Sequence, residues 1–372
     1  MTTEVLSQRA LGRATLARQL LLERSEMPPR DAVARLVGLQ AQEPRDPYLA
    51  LWSRLRGFEP DRLGRLLVER EVVRIVVMRG TIHLVTADDC LLLRPLTQPV
   101  LEAELRRHPD YAPLLRDVDL EPILAAGRAV LAERPRTGPE LRAVLGERFP
   151  EHDPAAMAYA CRCLLPLVQV PPRGVWGRRA QVTTTTAEAW LGRPLDADPS
   201  IDEVVLRYLA AFGPAAVADV AAWSRLTGFR QVIDRLRPGL RAFRDERGRE
   251  LLDLPGAPRP DPETPAPPRF LPEYDNLLLS HADRTRFVSE DDRRRLSAAP
   301  GRVAGSVLHD GTALGTWWVD RDGSGDGAVL VVRHLRRLAA AGRAAVAEEG
   351  HALLALIEPG TGPRGVRFDA VA

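Results

Sequence analysis

Lysine is missing from this chain. All 52 basic residues are arginine, set against 50 acidic residues for a net charge of +2. Without lysine, only the N-terminal amine could form a Schiff base, so chemistry through a lysine imine is excluded. The near-neutral balance does not by itself announce a nucleic-acid binder. Arginine does suit planar, bidentate contacts to phosphates and bases. GC-rich coding is the plainer source of the bias, and only a clustered arginine face would decide between them. Cysteine is scarce: Cys90, Cys161 and Cys163. An odd, small number argues against a disulfide framework. Cys161 and Cys163 are one residue apart and have no second pair, so no zinc site is expected.

Other absences narrow the choice further. No run of ~18 uncharged apolar residues exists, so no membrane span is expected. The opening MTTEVLSQRALGR lacks the apolar core of a signal peptide, and the expected location is the cytoplasm. Dinucleotide, Walker, zinc-protease and nucleophile-elbow motifs are all missing. The seven histidines show no metal-ligand spacing, so neither metal nor cofactor is expected. No clustered carboxylates suggest a metal pair, which disfavours a nuclease.

What is present is helical periodicity punctuated by hairpins. At 372 residues, two or three modules are expected. Apolar positions over residues 4–24 keep helical period until Pro28 and Pro29. A second helix is expected over residues 30–40, with Val33, Leu36 and Val37 on its apolar stripe. Further helices are expected over 47–55 and 63–69. Strands follow over 72–78 and 81–85, with Arg79-Gly80 as the turn. The plan recurs, with helices at 120–132, 137 onward and 154–165, then a hairpin from 167–170 to 175–182. A third pass has helices over 201–211, 213–224 and 228–236, then strands at 240–243 and 250–254. Helices closed by a hairpin are the plan of a winged helix, and three passes suggest three tandem units. A proline-rich stretch then leads to a small β-rich domain. In it, strands are expected over 302–308, 313–319 and 328–332, and a helix over 336–349. The expected boundaries are 1–115, 116–197 and 198–256 for the three units, 257–269 for the linker and 270–372 for the last domain.

The most pointed local feature is Leu39-Gln40-Ala41-Gln42-Glu43-Pro44-Arg45-Asp46. Gln40 falls where the stripe calls for an apolar residue. Gln42 would point the opposite way on a helix but the same way on extended backbone. The backbone must therefore unwind here if both amides are to face one cleft. Taken alone, the pair is better explained by capping and water binding.

This triplet resembles a known family once two further stretches are added. These are Arg79-Gly80-Thr81-Ile82-His83-Leu84-Val85 and Tyr274-Asp275-Asn276-Leu277-Leu278-Leu279-Ser280-His281-Ala282-Asp283-Arg284. Together they resemble the tandem winged-helix DNA glycosylases of the AlkZ and YcaQ type. The resemblance implies an α+β protein of three winged helices and a small C-terminal β-rich domain, curved as a C around double-stranded DNA. It implies excision of N7-alkylated purines, including interstrand crosslinks, in some members for self-resistance to a DNA-alkylating natural product. It maps the catalytic Gln-Φ-Gln motif onto Gln40 and Gln42, on the AlkZ-like side of the family. Ala41 is smaller than the apolar residue expected between them.

The chemistry suits two amides. A purine alkylated at N7 is cationic and already a good leaving group, so no strong acid is needed. What is needed is a placed water and favourable dipoles beside the positive sugar. An amide oxygen and an amide NH₂ provide both. Glu43 or Asp46 could serve as a general base, or be solvated loop charges. Arg45 and Arg79 are candidates for phosphate contact. His83 could touch DNA or hold the wing, and His281 and Arg284 could reach phosphate from the last stretch. Asp275 and Asn276 suit holding the fold. Arg293-Arg294-Arg295 suits an exposed helix face better than a groove. A monofunctional glycosylase acting as a monomer is therefore expected. A non-catalytic winged-helix regulator is the alternative, since fold does not fix function.

Overall fold

The computed structural model describes residues 4–298, 305–321, 327–360 and 363–370. Pro29 opens the helix Pro29–Arg35 at the first helical position, where no amide is needed. The helix stops at Arg35, not at Gln40 as its stripe suggested. The Gly38 amide donates to Val33 O at 3.0 Å and the Val37 amide to Ala34 O at 3.1 Å. These are the paired bonds of a Schellman turn. Val37 and Gly38 are both left-handed, with φ of +53° and +88°. A Cβ on Gly38 would lie 2.8 Å from Val85 Cγ1, so glycine is required there. The chain leaves the turn already extended. Leu39–Gln40 pairs antiparallel with Ile82–Thr86, placing Gln40 opposite His83.

That short strand edges a six-stranded sheet. The order runs Leu39–Gln40, Ile82–Thr86, Val72–Val76, Leu167–Gln169, Thr183–Thr186, Arg136–Thr137. The strands expected of the first two passes thus share one sheet. The expected strand over 175–182 is not formed. Residues 170–182 are a loop, with Gly174 and Gly177 at positive φ. The strand begins only at Thr183, where four β-branched threonines in a row suit a pleated backbone.

One long helix has no counterpart in the sequence reading. Ala87–Arg107 runs 21 residues with Pro95 and Pro99 inside it. Interior prolines argue against a helix, because each removes a backbone bond. The carbonyl left without its helical partner by Pro95 is that of Leu91, and the Asp196 amide donates to it at 3.1 Å. Thr86 caps the start by accepting from the Asp89 amide.

The hairpin of the third pass forms as expected, as Arg241–Asp245 and Glu250–Asp253. The N-terminal strand Val5–Leu6 joins it in parallel. Arg18, at the end of the helix Gln8–Arg18, donates to both oxygens of Asp253 at 2.6 and 2.8 Å. Both side chains are fully buried, so the chain's first helix is bolted to its third hairpin.

After the proline-rich stretch comes a five-stranded sheet. Its order is Arg269–Leu271, Gly305–His309, Thr312–Arg321, Ala328–His334, Arg364–Ala370. The last pair is parallel and needs a crossover, which the helix Ala340–Ile357 supplies. Its core holds Phe270, Leu314, Leu330 and Leu353, and Leu49 of the helix Asp46–Arg54 packs into it. Arg293 and Arg294 lie on the helix Glu290–Ala298 and pair with Glu290 and Asp291 at 2.6 Å, as an exposed face would.

Candidate active site

Gln40 is only 7% exposed. Its Oε1 accepts from Arg79 Nη2 at 2.7 Å. The same Nη2 donates to Asn276 Oδ1 at 2.7 Å and lies 3.3 Å from His83 Nε2. Arg79 Nη1 donates to the Trp223 carbonyl at 2.9 Å. Asn276 in turn donates to the Gly38 carbonyl at 3.2 Å, closing the network onto the turn that sets Gln40. Arg79 itself sits at φ +59° in the tight turn of its hairpin. One guanidinium thus joins the strand Leu39–Gln40, the hairpin turn, the helix Val217–Ser224 and Asn276.

Three of the five N–H donors of Arg79 go to Gln40, Asn276 and the Trp223 carbonyl, so this geometry makes it a positioning group. Burial, then the charges of Arg284 and Arg225, lower its pKa to about 10, which leaves it cationic at neutral pH. The expected DNA contact of His83 is corrected. Its Nδ1 lies 3.0 Å from the Thr81 carbonyl, which can only accept. Arg79 can only donate, so Nε2 must be the unprotonated nitrogen. Burial, followed by the Arg79 charge, pushes its pKa down to about 3, and the ring is neutral. His281 is also a core residue. Its Nε2 bonds the Phe212 carbonyl at 3.0 Å, among Tyr208, Phe212 and Phe287. It cannot reach a phosphate, and burial holds it down to about 3.

The remaining candidates fare better. Arg284 is half-buried, close enough to Arg79 to depress its pKa, and its guanidinium has no hydrogen bond among the described residues. Arg45 is exposed, its guanidinium 5.4 Å from the centre of the Trp176 ring. Gln42 is exposed, and its amide has no partner among the described residues. The Ala41 amide still donates to Ile82 O at 2.8 Å, and the chain bends at Gln42. Asp275 holds the fold, receiving Arg54 on both oxygens at 2.8 Å. Glu43 is a surface charge, whereas Asp46 is not a solvated loop charge at all: it is 5% exposed. Burial, then Glu273 and Glu43, raise its pKa to about 8.

Beside Arg45 lies a groove of about 660 Å³ that the sequence reading missed. The loop 170–182, expected as a strand, supplies Arg173, Arg178 and Arg179 to its wall. Tyr48 pins this loop, donating to the Gly174 carbonyl at 2.7 Å and accepting from the Trp176 amide at 3.1 Å. Gly174 is needed because a Cβ there would lie 2.7 Å from Arg74 Cδ. Here is the clustered arginine face that composition alone could not show. The sequence signal for it was Arg173-Gly174-Val175-Trp176-Gly177-Arg178-Arg179, basic and aromatic residues between loop-forming glycines.

A family described as DNA glycosylase AlkZ-like matches residues 33–356. The chain is 26% identical over 334 residues to an interstrand DNA cross-link repair glycosylase of Streptomyces sahachiroi, covering 81% of this chain and 85% of that one. The solved structure of the Streptomyces sahachiroi DNA glycosylase AlkZ superposes with a TM-score of 0.79 at 21% identity, over 98% of this chain and 100% of that chain. The α+β fold is thus that of a known structure.

Proposed function

The chain belongs to the AlkZ-like DNA glycosylase family, and from that premise we propose that it hydrolyses the N-glycosidic bond of cationic N7-alkylated purines in duplex DNA. The observation that carries the reading is the clamp of Arg79 on Gln40 next to an unconstrained Gln42. With its Oε1 held by Arg79, Gln40 has its NH₂ left to donate to a sugar or phosphate oxygen. Gln42 keeps its carbonyl free to accept from the attacking water and to face the positive charge growing at C1′. The two amides therefore take different parts. Neither can protonate a neutral base, which restricts the enzyme to bases that carry their own positive charge.

The helix-and-hairpin groups at 1–115, 116–197 and 198–256 fit three tandem winged-helix units. With the C-terminal domain at 270–372 they would curve around the duplex. Arg45 and Arg284 remain the phosphate contacts from the original set, and Arg173, Arg178 and Arg179 join them. Crosslinks resist base flipping, and a wide groove suits them better than a deep pocket. The relative's name as an interstrand cross-link repair enzyme supports crosslinks as substrates here, with self-resistance one setting for that activity. The enzyme is read as a monomer and as monofunctional, because the 372 residues hold no lysine to form a Schiff base.

The test is incubation with N7-methylated duplex. Free 7-methylguanine should appear by mass spectrometry, and borohydride should trap no protein–DNA adduct. Tight duplex binding with no base released from any cationic lesion would leave a non-catalytic DNA-binding protein instead.

A further inference from the structure

Left-handed backbone is costly for residues other than glycine, and in this chain it collects around Gln40. Among the described residues, seven non-glycine residues have positive φ. Four of them are tied to the Gln40 network. Val37, at +53°, lies in the turn between the helix Pro29–Arg35 and Gln40. Arg79, at +59°, is the clamp itself, and Arg225, at +61°, donates to the Arg79 carbonyl at 3.3 Å. The fourth is Tyr274, at +60°. The first three close a helix or a hairpin, where such backbone is routine. Tyr274 closes neither. It stands in the turn between the strand Arg269–Leu271 and Asn276, at a position that glycine would take without strain.

That strained residue is held from both sides. Before it, Phe270 and Leu271 are fully buried and paired with Val307 and Ser306. After it, Arg54 grips both oxygens of Asp275, and Asn276 accepts from Arg79 and donates to the Gly38 carbonyl. Yet the side chain fixed in this way is not buried. Tyr274 is 43% exposed, and it is the one aromatic ring among the exposed large apolar side chains of the described residues. It joins none of the apolar clusters. Its hydroxyl bonds the neighbouring Glu273, which leaves the ring itself unengaged. The ring is also close to the glutamine pair. Asn276, two residues on, shares Arg79 Nη2 with Gln40, each at 2.7 Å. Two residues of chain span no more than about 7 Å.

We propose that Tyr274 is a stacking wedge: its ring enters the duplex at the lesion and takes over the stacking that the alkylated purine gives up when its sugar meets Gln40 and Gln42. The inference rests on the glycosylase reading above. An aromatic ring stacks on any base, so the wedge serves whatever sequence surrounds the damage. It also suits a crosslink. A purine joined to the opposite strand cannot swing out, but a ring inserted beside it needs only one base step to open. Strain then has a use, because a ring on a fixed turn keeps one place relative to the two amides.

The test follows single-turnover release of 7-methylguanine from two duplexes of one sequence. In the first the lesion is paired with cytosine; in the second a tetrahydrofuran abasic analogue stands opposite it, so the lesion is already loosened. Tyr274→Gly removes the ring and relieves the backbone, and its melting temperature should not fall below that of wild type. Its release from the paired duplex should fall at least about tenfold, and from the abasic duplex less than about threefold. Tyr274→Phe keeps the ring and should stay within about threefold of wild type on both. A merely structural role would slow both duplexes alike. Equal loss on the two duplexes, no loss on either, or a Tyr274→Phe variant as slow as Tyr274→Gly overturns the inference. Failure of wild type to release 7-methylguanine from either duplex overturns the glycosylase reading instead, so the two failures are distinguishable.

Discussion

Arg79 Nη2 donates to Gln40 Oε1 and to Asn276 Oδ1, each at 2.7 Å, so one nitrogen sets the strand Leu39–Gln40 against the stretch that carries Asn276. Arg79→Lys keeps the charge but has no planar fork to meet Gln40, Asn276 and the Trp223 carbonyl together. Single-turnover base release should slow roughly thirtyfold, about 2 kcal/mol, with little change in the affinity for duplex. An affinity loss with an unchanged rate would make Arg79 a DNA contact instead.

Arg54 and Asp275 form a fully buried, two-bonded ion pair one residue before Asn276. Arg54→Ala strands a buried carboxylate and should cost about 3–5 kcal/mol in urea denaturation. Arg54→Met with Asp275→Leu should recover much of that stability. Its base release should remain slow, because the Asp275 bond to the Leu277 amide that orders the Asn276 loop is gone.

Stability should depend on pH from both sides. Asp46 is raised from 3.8 to about 8. The fold keeps a proton that the unfolded chain gives up, so this contribution is present below about pH 4 and lost as pH rises towards 8. His83 and His281 are lowered from 6.5 to about 3. Their contribution is present above about pH 6.5 and lost as pH falls towards 3. Asp46→Asn should therefore stabilise the protein at pH 8, by something on the order of 2 kcal/mol, and leave it unchanged at pH 4. Urea midpoints at the two pH values check this.

Arg178 and Arg179 are exposed on the groove wall. Replacing both by alanine should reduce the slope of log affinity against log salt by about 2, equally for damaged and undamaged duplex, with the melting temperature unchanged. Loss of damage selectivity with an unchanged slope would place the phosphate path elsewhere.

The legible parts of this chain were those governed by local rules. The hairpins at 72–86 and 241–253 followed from β-branched runs and glycine turns, and the Gln40–Gln42 stretch from a broken stripe. The helix Ala87–Arg107 was hidden because its prolines violate the local rule, and the repair comes from Asp196 over a hundred residues away. His281 was open to a phosphate contact, and His83 to a DNA contact or a structural role, because a sequence shows a residue's type and not its depth. Asp46 read as a loop charge for the same reason. The arginine groove is assembled from residue 45 and a loop near 175, a proximity that only the fold creates.

The central claim is that the two amides work at the sugar of a cationic nucleotide. It is tested most directly by single-turnover release of 7-methylguanine from a duplex with one lesion, by wild type, Gln40→Ala and Gln42→Ala. The account predicts release by wild type and a fall of at least about a hundredfold in each variant, with duplex affinity retained. Release at the wild-type rate by both variants would contradict it.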